Sequence, residues 1–339
     1  MSRRAEISEF VKRAGWGDAH ITPLAGDASN RRYDRVLRQD GTTAVLMDAP
    51  PSKGEDVRPF VKIATFLTVA GLSAPRIFAQ DTARGFLLIE DLGDDLFARV
   101  IATDPSLELA LYQSAVDVLC HLHQEPPPDL APYCASVTAP LAALAFDWYL
   151  FGATGSVDAA AKTAFGEAFH DLFRPLDAQP QVLIQRDYHA ENLLWLPERK
   201  GVQKVGLLDF QDAMLGHAGY DLVSILQDAR RDVSAELEKQ MITRFLAQST
   251  QDPEQFAESY AILGAQRNLR ILGVFARLCL RDGKTHYVDL IPRVWEHIQT
   301  NLKHPALQDI AKVLNNTLPP PSSEILDKLR SQCATCPDR

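Results

Sequence analysis

The sequence has little cysteine, no long apolar run and no excess of positive charge. Five cysteines among 339 residues are few and odd in number, which argues against the disulfide framework of a small secreted fold. The apolar stretches, such as residues 271–276, fall far short of the roughly 18 residues that a membrane span needs. Lys and Arg number 35 against 44 Asp and Glu, so no broad basic surface for nucleic acid or anionic membrane is expected.

The composition that is present is that of an ordinary folded protein. Hydrophobic residues make up 46% of the chain and charged residues 23%, which excludes a largely disordered or fibrous chain. A prior of about 150 residues per domain suggests two packed lobes. Glu6 and Glu9 stand where a signal peptide carries its apolar segment, so we expect a cytoplasmic protein with free thiols.

Strand signals dominate the first ninety residues, and helical spacing dominates afterwards. Strands are expected at residues 32–37, 43–48, 76–79 and 85–90, with a helix at 59–70. The Asp40-Gly41 pair predicts a hairpin between the first two of these strands. Within the helical part, residues 182–210 hold further short strands. A Pro-rich linker from Leu318 precedes a short terminal helix, and Cys333 and Cys336 are expected in a disordered tail.

Three polar residues lie next to the short strands of residues 182–210. Asp187 and Asn192 form a D-x4-N pattern in one loop, and Asp209 ends the next apolar strand. Phosphoryl transfer needs a carboxylate beside the acceptor hydroxyl and hard oxygen ligands that hold Mg²⁺. Taken singly, each of these residues is equally typical of a turn or a helix cap. Taken together, they indicate a kinase-like site.

The stretch from Ile184 to Leu194, followed by residues 207–212, resembles the catalytic and metal loops of the aminoglycoside phosphotransferase and choline kinase family. The usual family pattern is H-G-D-x4-N and then a D at a strand end. The resemblance implies an α+β, bilobal protein-kinase-like fold with an antiparallel β-sheet N-lobe and a mainly helical C-lobe. It implies that Asp187 is the catalytic base, that Asn192 and Asp209 hold Mg²⁺ and that Asp221 supports the catalytic loop.

The same resemblance implies three segments and a departure in the catalytic loop. Residues 1–92 correspond to a nucleotide-binding lobe with its hinge near 90–92, residues 93–317 to a catalytic and acceptor-binding lobe, and residues 318–339 to a linker and tail. Gln185-Arg186 replaces the His-Gly of the family. His189 is interpreted as a residue that stabilises this loop through a hydrogen bond.

Residues 24–33 are similar to the loop that covers the ATP phosphates in this family. Gly26 and Ser29 there allow backbone N–H groups to approach the phosphates. At the hinge, the resemblance implies that the backbone of Glu90, Asp91 and Leu92 binds adenine.

The phosphate-gripping Lys of the family is missing from the strand at residues 43–48. Met47 stands near its place, and the helix at 59–70 has no acidic residue to pair with such a Lys. We expect Arg31, Arg32 or Lys53 to supply the missing positive charge.

Residues 265–284 carry five positive residues against one acid. The positive residues are Arg267, Arg270, Arg277, Arg281 and Lys284. A solvated basic face is the simpler interpretation. If the segment lines the acceptor pocket, it favours a neutral or anionic acceptor, since an aminoglycoside is a polycation and calls for carboxylates.

Several segments between residues 20 and 300 resemble one branch of the family, the bacterial anomeric kinases of N-acetylmuramate and N-acetylglucosamine. The segments that carry this resemblance include residues 46–51 with Met47-Asp48, residues 146–149 and residues 266–278. Membership implies phosphorylation of the sugar C1 hydroxyl by ATP and Mg²⁺ in cell-wall sugar recycling. Arg186, Asp212 and Arg267 are the expected sugar contacts. Two alternatives stay open: a kinase of an aminoglycoside, choline or an amino alcohol, and a non-catalytic nucleotide-binding regulator.

Overall fold

The structure, a computed structural model, describes residues 2–24 and 30–337. Its strands are β1 His20–Pro23, β2 Arg32–Leu37, β3 Thr43–Asp48, β4 Ile77–Asp81, β5 Phe86–Glu90, β6 Gln181–Ile184, β7 Leu193–Trp195, β8 Val205–Leu207 and β9 Met214–His217. Its α-helices are α1 Arg3–Arg13, α2 Arg58–Val69, α3 Phe97–Thr103, α4 Glu108–Leu122, α5 Ala135–Ala142, α6 Phe151–Thr154, α7 Ala159–Asp177, α8 Gly219–Leu226, α9 Ala235–Ala247, α10 Pro253–Leu280, α11 Ile291–Asn301, α12 Gln308–Thr317 and α13 Ser323–Ser331.

The first compact unit comprises Met1–Pro128 and Ala190–Ala213 and is built on an antiparallel sheet. The five strands follow the order β1-β2-β3-β5-β4, and β2 and β3 pair in the predicted hairpin with Arg32 opposite Asp48. The antiparallel sheet and the helical remainder confirm the predicted fold class. Residues 93–128 belong to the same compact unit as the sheet. The predicted hinge between a nucleotide-binding lobe and a catalytic lobe near residues 90–92 stays a prediction.

Both faces of β3 are buried, which explains the nearly continuous apolar run of this strand. Alternate residues of a strand point to opposite faces. Ala44 and Leu46 pack with α1, whose residues Phe10 and Val11 belong to the same buried cluster. The other face, which includes Met47, is buried as well, so β3 exposes almost nothing to solvent.

The second compact unit comprises Asp129–His189 and Met214–Arg339 and is mainly helical. Its longest element, α10, has 28 residues; Asp252 caps its start by accepting from the backbone N–H groups of Glu254 and Gln255. Helices α5, α8 and α11 pack against α10, and β6 pairs antiparallel with β9. Among the described residues, no helix combines the length and apolarity that a membrane crossing requires.

The C-terminal segment is ordered against the end of α10, contrary to the disordered tail that the sequence suggested. The predicted terminal helix is present as α13, and the backbone N–H groups of Ala334 and Cys336 donate to the carbonyls of Cys279 and Leu280 at 3.1 and 3.0 Å. Burial, together with the neighbouring thiol of Cys333, raises the pKa of the Cys279 thiol to about 12. Composition alone could not show that the backbone of this segment donates hydrogen bonds to carbonyl groups of α10.

A tight turn between β4 and β5 requires glycine at position 85. Gly85 has φ of 72°, and a Cβ there would lie 1.9 Å from the carbonyl oxygen of Ala49. We expect Gly85→Ala to lower the free energy of unfolding by about 3 kcal/mol, because the backbone strain adds to a clash with main chain. Gly41→Ala is the matched control, since φ is 85° there but nothing lies within 4 Å of the added Cβ. Its expected cost is about 1 kcal/mol. Equal losses for the two variants in urea unfolding would contradict the assignment of a clash at Gly85.

Candidate active site

The loop that carries Asp187 leaves the end of β6 with an unusual backbone. Arg186 has φ of 73°, in the left-handed region that glycine adopts without strain. The position therefore suits the Gly of the family pattern, and an Arg there costs about 1 kcal/mol or more of backbone strain. Strain of this kind persists only where neighbouring groups hold the backbone.

Asp221 in α8 holds this backbone. Its side chain is fully buried, and its two oxygens accept hydrogen bonds from the backbone N–H groups of Gln185 at 2.6 Å and Arg186 at 2.9 Å. Burial raises the pKa of Asp221 to about 7, although the two hydrogen bonds act in the opposite direction. Ser224, one turn further along α8, donates to the carbonyl of Arg186 at 3.2 Å. The segment before Asp187 is thus fixed on both sides.

Positive charge surrounds Asp187 within the second unit. The guanidinium groups of Arg267 and Arg270 are close enough to Asp187 for electrostatic attraction. His189 is 5% exposed, and burial, with the charges of Arg230 and Arg267, lowers its pKa well below the ordinary value. His189 is therefore neutral near pH 7 and adds no positive charge.

Asn192 and Asp209 lie side by side in the first unit. Asn192 directly precedes β7, and Asp209 lies two residues after the end of β8. Because β7 and β8 pair antiparallel, the two residues come to the same end of the pair. The Nδ2 of Asn192 lies 3.4 Å from Oδ2 of Asp209, and Gln211 donates to Oδ1 of Asp209 at 2.7 Å. Asp209 has φ of 57°, so the backbone is strained there too.

A cavity of about 500 Å³ in the first unit brings together five of the predicted residues: Glu90, Asp91, Leu92, Asn192 and Asp209 all line it. Its apolar lining includes Val45, Phe60, Ile89 and Leu208. An apolar slot with a few polar groups at one side is typical of a small-molecule site.

Arg31 and Arg32 are not among the described residues that line this cavity. Gly26 and Ser29 lie outside the described residues. Arg31 forms an ion pair with Glu55 at 2.8 Å, and Arg32 forms one with Asp34 at 2.9 Å. Both arginines are thus already paired with a carboxylate, and the expectation that Arg31, Arg32 or Lys53 supplies the missing positive charge stays a prediction.

The three predicted sugar contacts lie in different settings. Arg267 is 3% exposed in the interior of the second unit, and its Nη1 donates to the carbonyl of Gln227 at 3.4 Å. The guanidinium of Arg186 lies over the ring of Tyr133, 5.5 Å from the centroid. Asp212 belongs to the first unit and is exposed.

Arg35 is a cation that lines the cavity and that no sequence motif singled out. It lies opposite Val45 in the sheet and forms ion pairs with Asp91 at 2.7 Å and Asp94 at 3.0 Å. Strand alternation could have found it, because Tyr33 and Arg35 share one face of β2 and both line the cavity.

The oxygens of Asn192 and Asp209 fit Mg²⁺. Carboxylate and amide oxygens are hard ligands, and Mg²⁺ commonly takes only one or two of them because phosphates and waters complete its coordination. In the described ranges, no group of three or more His, Cys, Asp or Glu side chains is placed to hold a metal ion.

Comparison with known proteins identifies the family. The model of the phosphotransferase enzyme family matches residues 20–258. The chain belongs to this family. The phosphotransferase is 38% identical to an N-acetylmuramate/N-acetylglucosamine kinase of Caulobacter vibrioides, over 94% of this chain and 97% of the relative. It is 34% identical to a protein of the same name from Pseudomonas aeruginosa, over 91% and 92% of the two chains.

Solved structures of kinases share the fold at low sequence identity. The choline kinase LicA from Streptococcus pneumoniae matches with a TM-score of 0.61 and 13% identity, over 88% of this chain and 100% of its own. An aminoglycoside phosphotransferase, APH(2'')-Ib, matches with a TM-score of 0.58 and 15% identity, over 87% and 97%. These matches confirm the protein-kinase-like fold, and the family and its kinase relatives make the chain a phosphotransferase with an alcohol group as acceptor.

Proposed function

We propose that this phosphotransferase transfers the γ-phosphate of ATP to the C1 hydroxyl of N-acetylmuramate or N-acetylglucosamine, in the cytoplasm, as a step of cell-wall sugar recycling. The observation that carries the proposal is the chemistry around Asp187. A carboxylate follows a strained loop held by Asp221, and Arg267 and Arg270 place two positive charges near that carboxylate. This setting suits a neutral or anionic acceptor. The relatives from Caulobacter vibrioides and Pseudomonas aeruginosa are named as kinases of the same two sugars.

Asp187 acts on the acceptor hydroxyl. A C1 hydroxyl is a hemiacetal hydroxyl and more acidic than an ordinary alcohol, so the base needs only to orient it and accept its proton as transfer proceeds. The C1 oxygen bonds to the γ-phosphorus, the bond from that phosphorus to the β–γ bridging oxygen breaks, and ADP leaves with that oxygen. The sugar 1-phosphate is the product.

The cavity of the first unit is the proposed nucleotide site. Val45, Phe60 and Ile89 offer apolar surface to the adenine, and the backbone of Glu90 to Leu92 offers hydrogen bonds at its edge. Asn192 and Asp209 would hold Mg²⁺, which would supply positive charge against the phosphates. Gln211 keeps the Asp209 carboxylate in position through its 2.7 Å hydrogen bond.

A non-catalytic nucleotide-binding regulator is the second candidate, and Met47 is the observation that favours it. Met47 is fully buried on the face of β3 that also presents Val45 to the cavity, so an apolar side chain stands near the place of the usual cation. Retention of Asp187, Asn192 and Asp209 favours turnover.

Phosphorus NMR distinguishes these candidates. We expect purified protein with ATP, Mg²⁺ and either amino sugar to give a sugar 1-phosphate resonance. No such product is expected to form when EDTA is present from the start. Kanamycin and choline serve as acceptor controls and are expected to give none. Phosphorylation of either cation without a response to the sugars would contradict the assigned acceptor. Nucleotide-dependent thermal stabilisation without transfer to any acceptor would select the regulator.

A further inference from the structure

Helix α10 carries two half-buried arginines on one face. Arg270 and Arg277 are seven residues apart, which is two helical turns and about 10 Å along the axis. Arg270 hydrogen-bonds to Tyr220 and is close enough to Asp187 for electrostatic attraction. Arg277 is close enough to Arg270 for the two charges to repel. The pair therefore extends from the surroundings of the proposed base along the helix.

Within the described part of the chain, neither arginine forms an ion pair with a carboxylate. The Nε of Arg277 is buried without an acceptor there, and its neighbours in charge are Arg281, Arg270 and Asp282. Asp282 itself pairs with Arg281 at 2.7 Å. Arginines withdrawn from solvent are usually paired directly with an anion, whereas Asp187 acts on Arg270, and Asp282 on Arg277, only at electrostatic range.

The polar groups beside Arg270 form a hydrogen-bonded network. The hydroxyl groups of Tyr133 and Tyr220 lie 3.2 Å apart, and Tyr133 donates to Oε1 of Gln266 at 3.3 Å. Gln266 in turn donates to the carbonyl of Thr138 at 3.1 Å. Because these side chains bond to one another, they hold Arg270 without neutralising its charge.

We propose that Arg270 and Arg277 form a subsite for a carboxylate of the acceptor. The inference rests on the proposed function and decides between its two sugars: N-acetylmuramate carries a lactyl carboxylate, and N-acetylglucosamine does not. A guanidinium binds a carboxylate with two parallel hydrogen bonds, and an anion here supplies the missing counter-charge. The subsite raises kcat/KM for the sugar acid relative to the neutral sugar.

The test compares kcat/KM for the two sugars in Arg270→Gln and Arg277→Gln. We expect the ratio of N-acetylmuramate to N-acetylglucosamine to fall at least tenfold in each variant, and Arg277→Lys to restore part of it. Arg281→Gln is the matched control, because it removes the same charge from the same helix end at a residue already paired with Asp282. Its ratio is expected to stay within twofold of the wild type.

A second measurement requires no variant and is therefore independent of folding. The methyl ester of N-acetylmuramate keeps the shape of the lactyl group but removes its charge. We expect kcat/KM of the wild-type protein to be at least tenfold lower for this ester than for the acid.

Equal values of kcat/KM for acid and ester, with unchanged ratios in both variants, would overturn the carboxylate subsite alone. Equal losses for both sugars with a raised KM for ATP would assign the arginines to phosphate instead. If the wild-type protein phosphorylates neither sugar, the proposed function itself fails.

Discussion

Asp187→Asn is expected to lower kcat by about 10² to 10⁴-fold with little change in KM for either substrate. The amide has the shape of the carboxylate but cannot accept the proton of the C1 hydroxyl, so the lost interaction is one that strengthens in the transition state. The measurement is ADP release in a coupled assay, with wild-type protein and variant at saturating ATP and sugar. A loss of this size corresponds to the usual contribution of a positioned general base.

Glu191→Gln provides the control for Asp187→Asn. Glu191 follows the proposed base by four residues and is exposed, so its substitution removes one negative charge from the same segment without touching the proposed chemistry. We expect kcat within twofold of the wild type for this variant. Full turnover by Asp187→Asn would show that another group accepts the proton and would contradict the mechanism.

The strands around the site could be predicted because their patterns are local. The predicted ranges for β2 and β3 agree with the structure, since β-branched and apolar residues there are bounded by turn residues. Asn192 and Asp209 could be placed for the same reason, because each adjoins a short apolar strand. The strand β9 was missed, since Met214–His217 includes Gly216 and has no alternating pattern.

Features that depend on tertiary contacts could not be predicted. The sequence shows that Arg186 replaces a Gly, but only the structure shows φ of 73° and the buried carboxylate that maintains it. The ion pair of Arg31 with Glu55 joins residues 24 positions apart, and no local pattern indicates it. Charged residues can thus be identified from the sequence, whereas the residues with which they pair can be identified only from the structure.

Asp221→Asn is expected to lower kcat by about 10²-fold without direct contact with the reacting atoms. The carboxylate accepts from two backbone N–H groups, and an amide offers one oxygen and turns an NH₂ group toward the other N–H. Arg186 then loses a bond that holds its strained backbone, and Asp187 shifts with it. Misplacement of a catalytic group by about 1 Å costs a factor of this order. We expect an accompanying loss of about 1–3 kcal/mol in the free energy of unfolding, because a buried donor is left unsatisfied.

Asp177→Asn separates positioning from stability. Both oxygens of Asp177 accept from the backbone N–H of Ala135, at 3.2 and 3.1 Å, so the variant loses a similar bond away from the Asp187 loop. We expect a smaller loss of stability and an unchanged kcat. Equal losses of kcat in the two variants would assign the effect of Asp221 to general destabilisation.

The pH dependence of stability gives the Asp221 assignment a further readout. Burial raises the pKa of this carboxyl to about 7 in the folded protein, above the value near 4 of an unfolded chain. A carboxyl with a raised pKa binds its proton more tightly when folded, so its contribution to stability is present below about pH 4 and is lost as the pH rises toward 7. The amide of the variant does not titrate and lacks this slope. Urea unfolding at pH 5 and pH 8 should therefore show a larger difference between wild type and Asp221→Asn at pH 5, and an equal difference at the two pH values would mean that the carboxyl is ionised throughout this range.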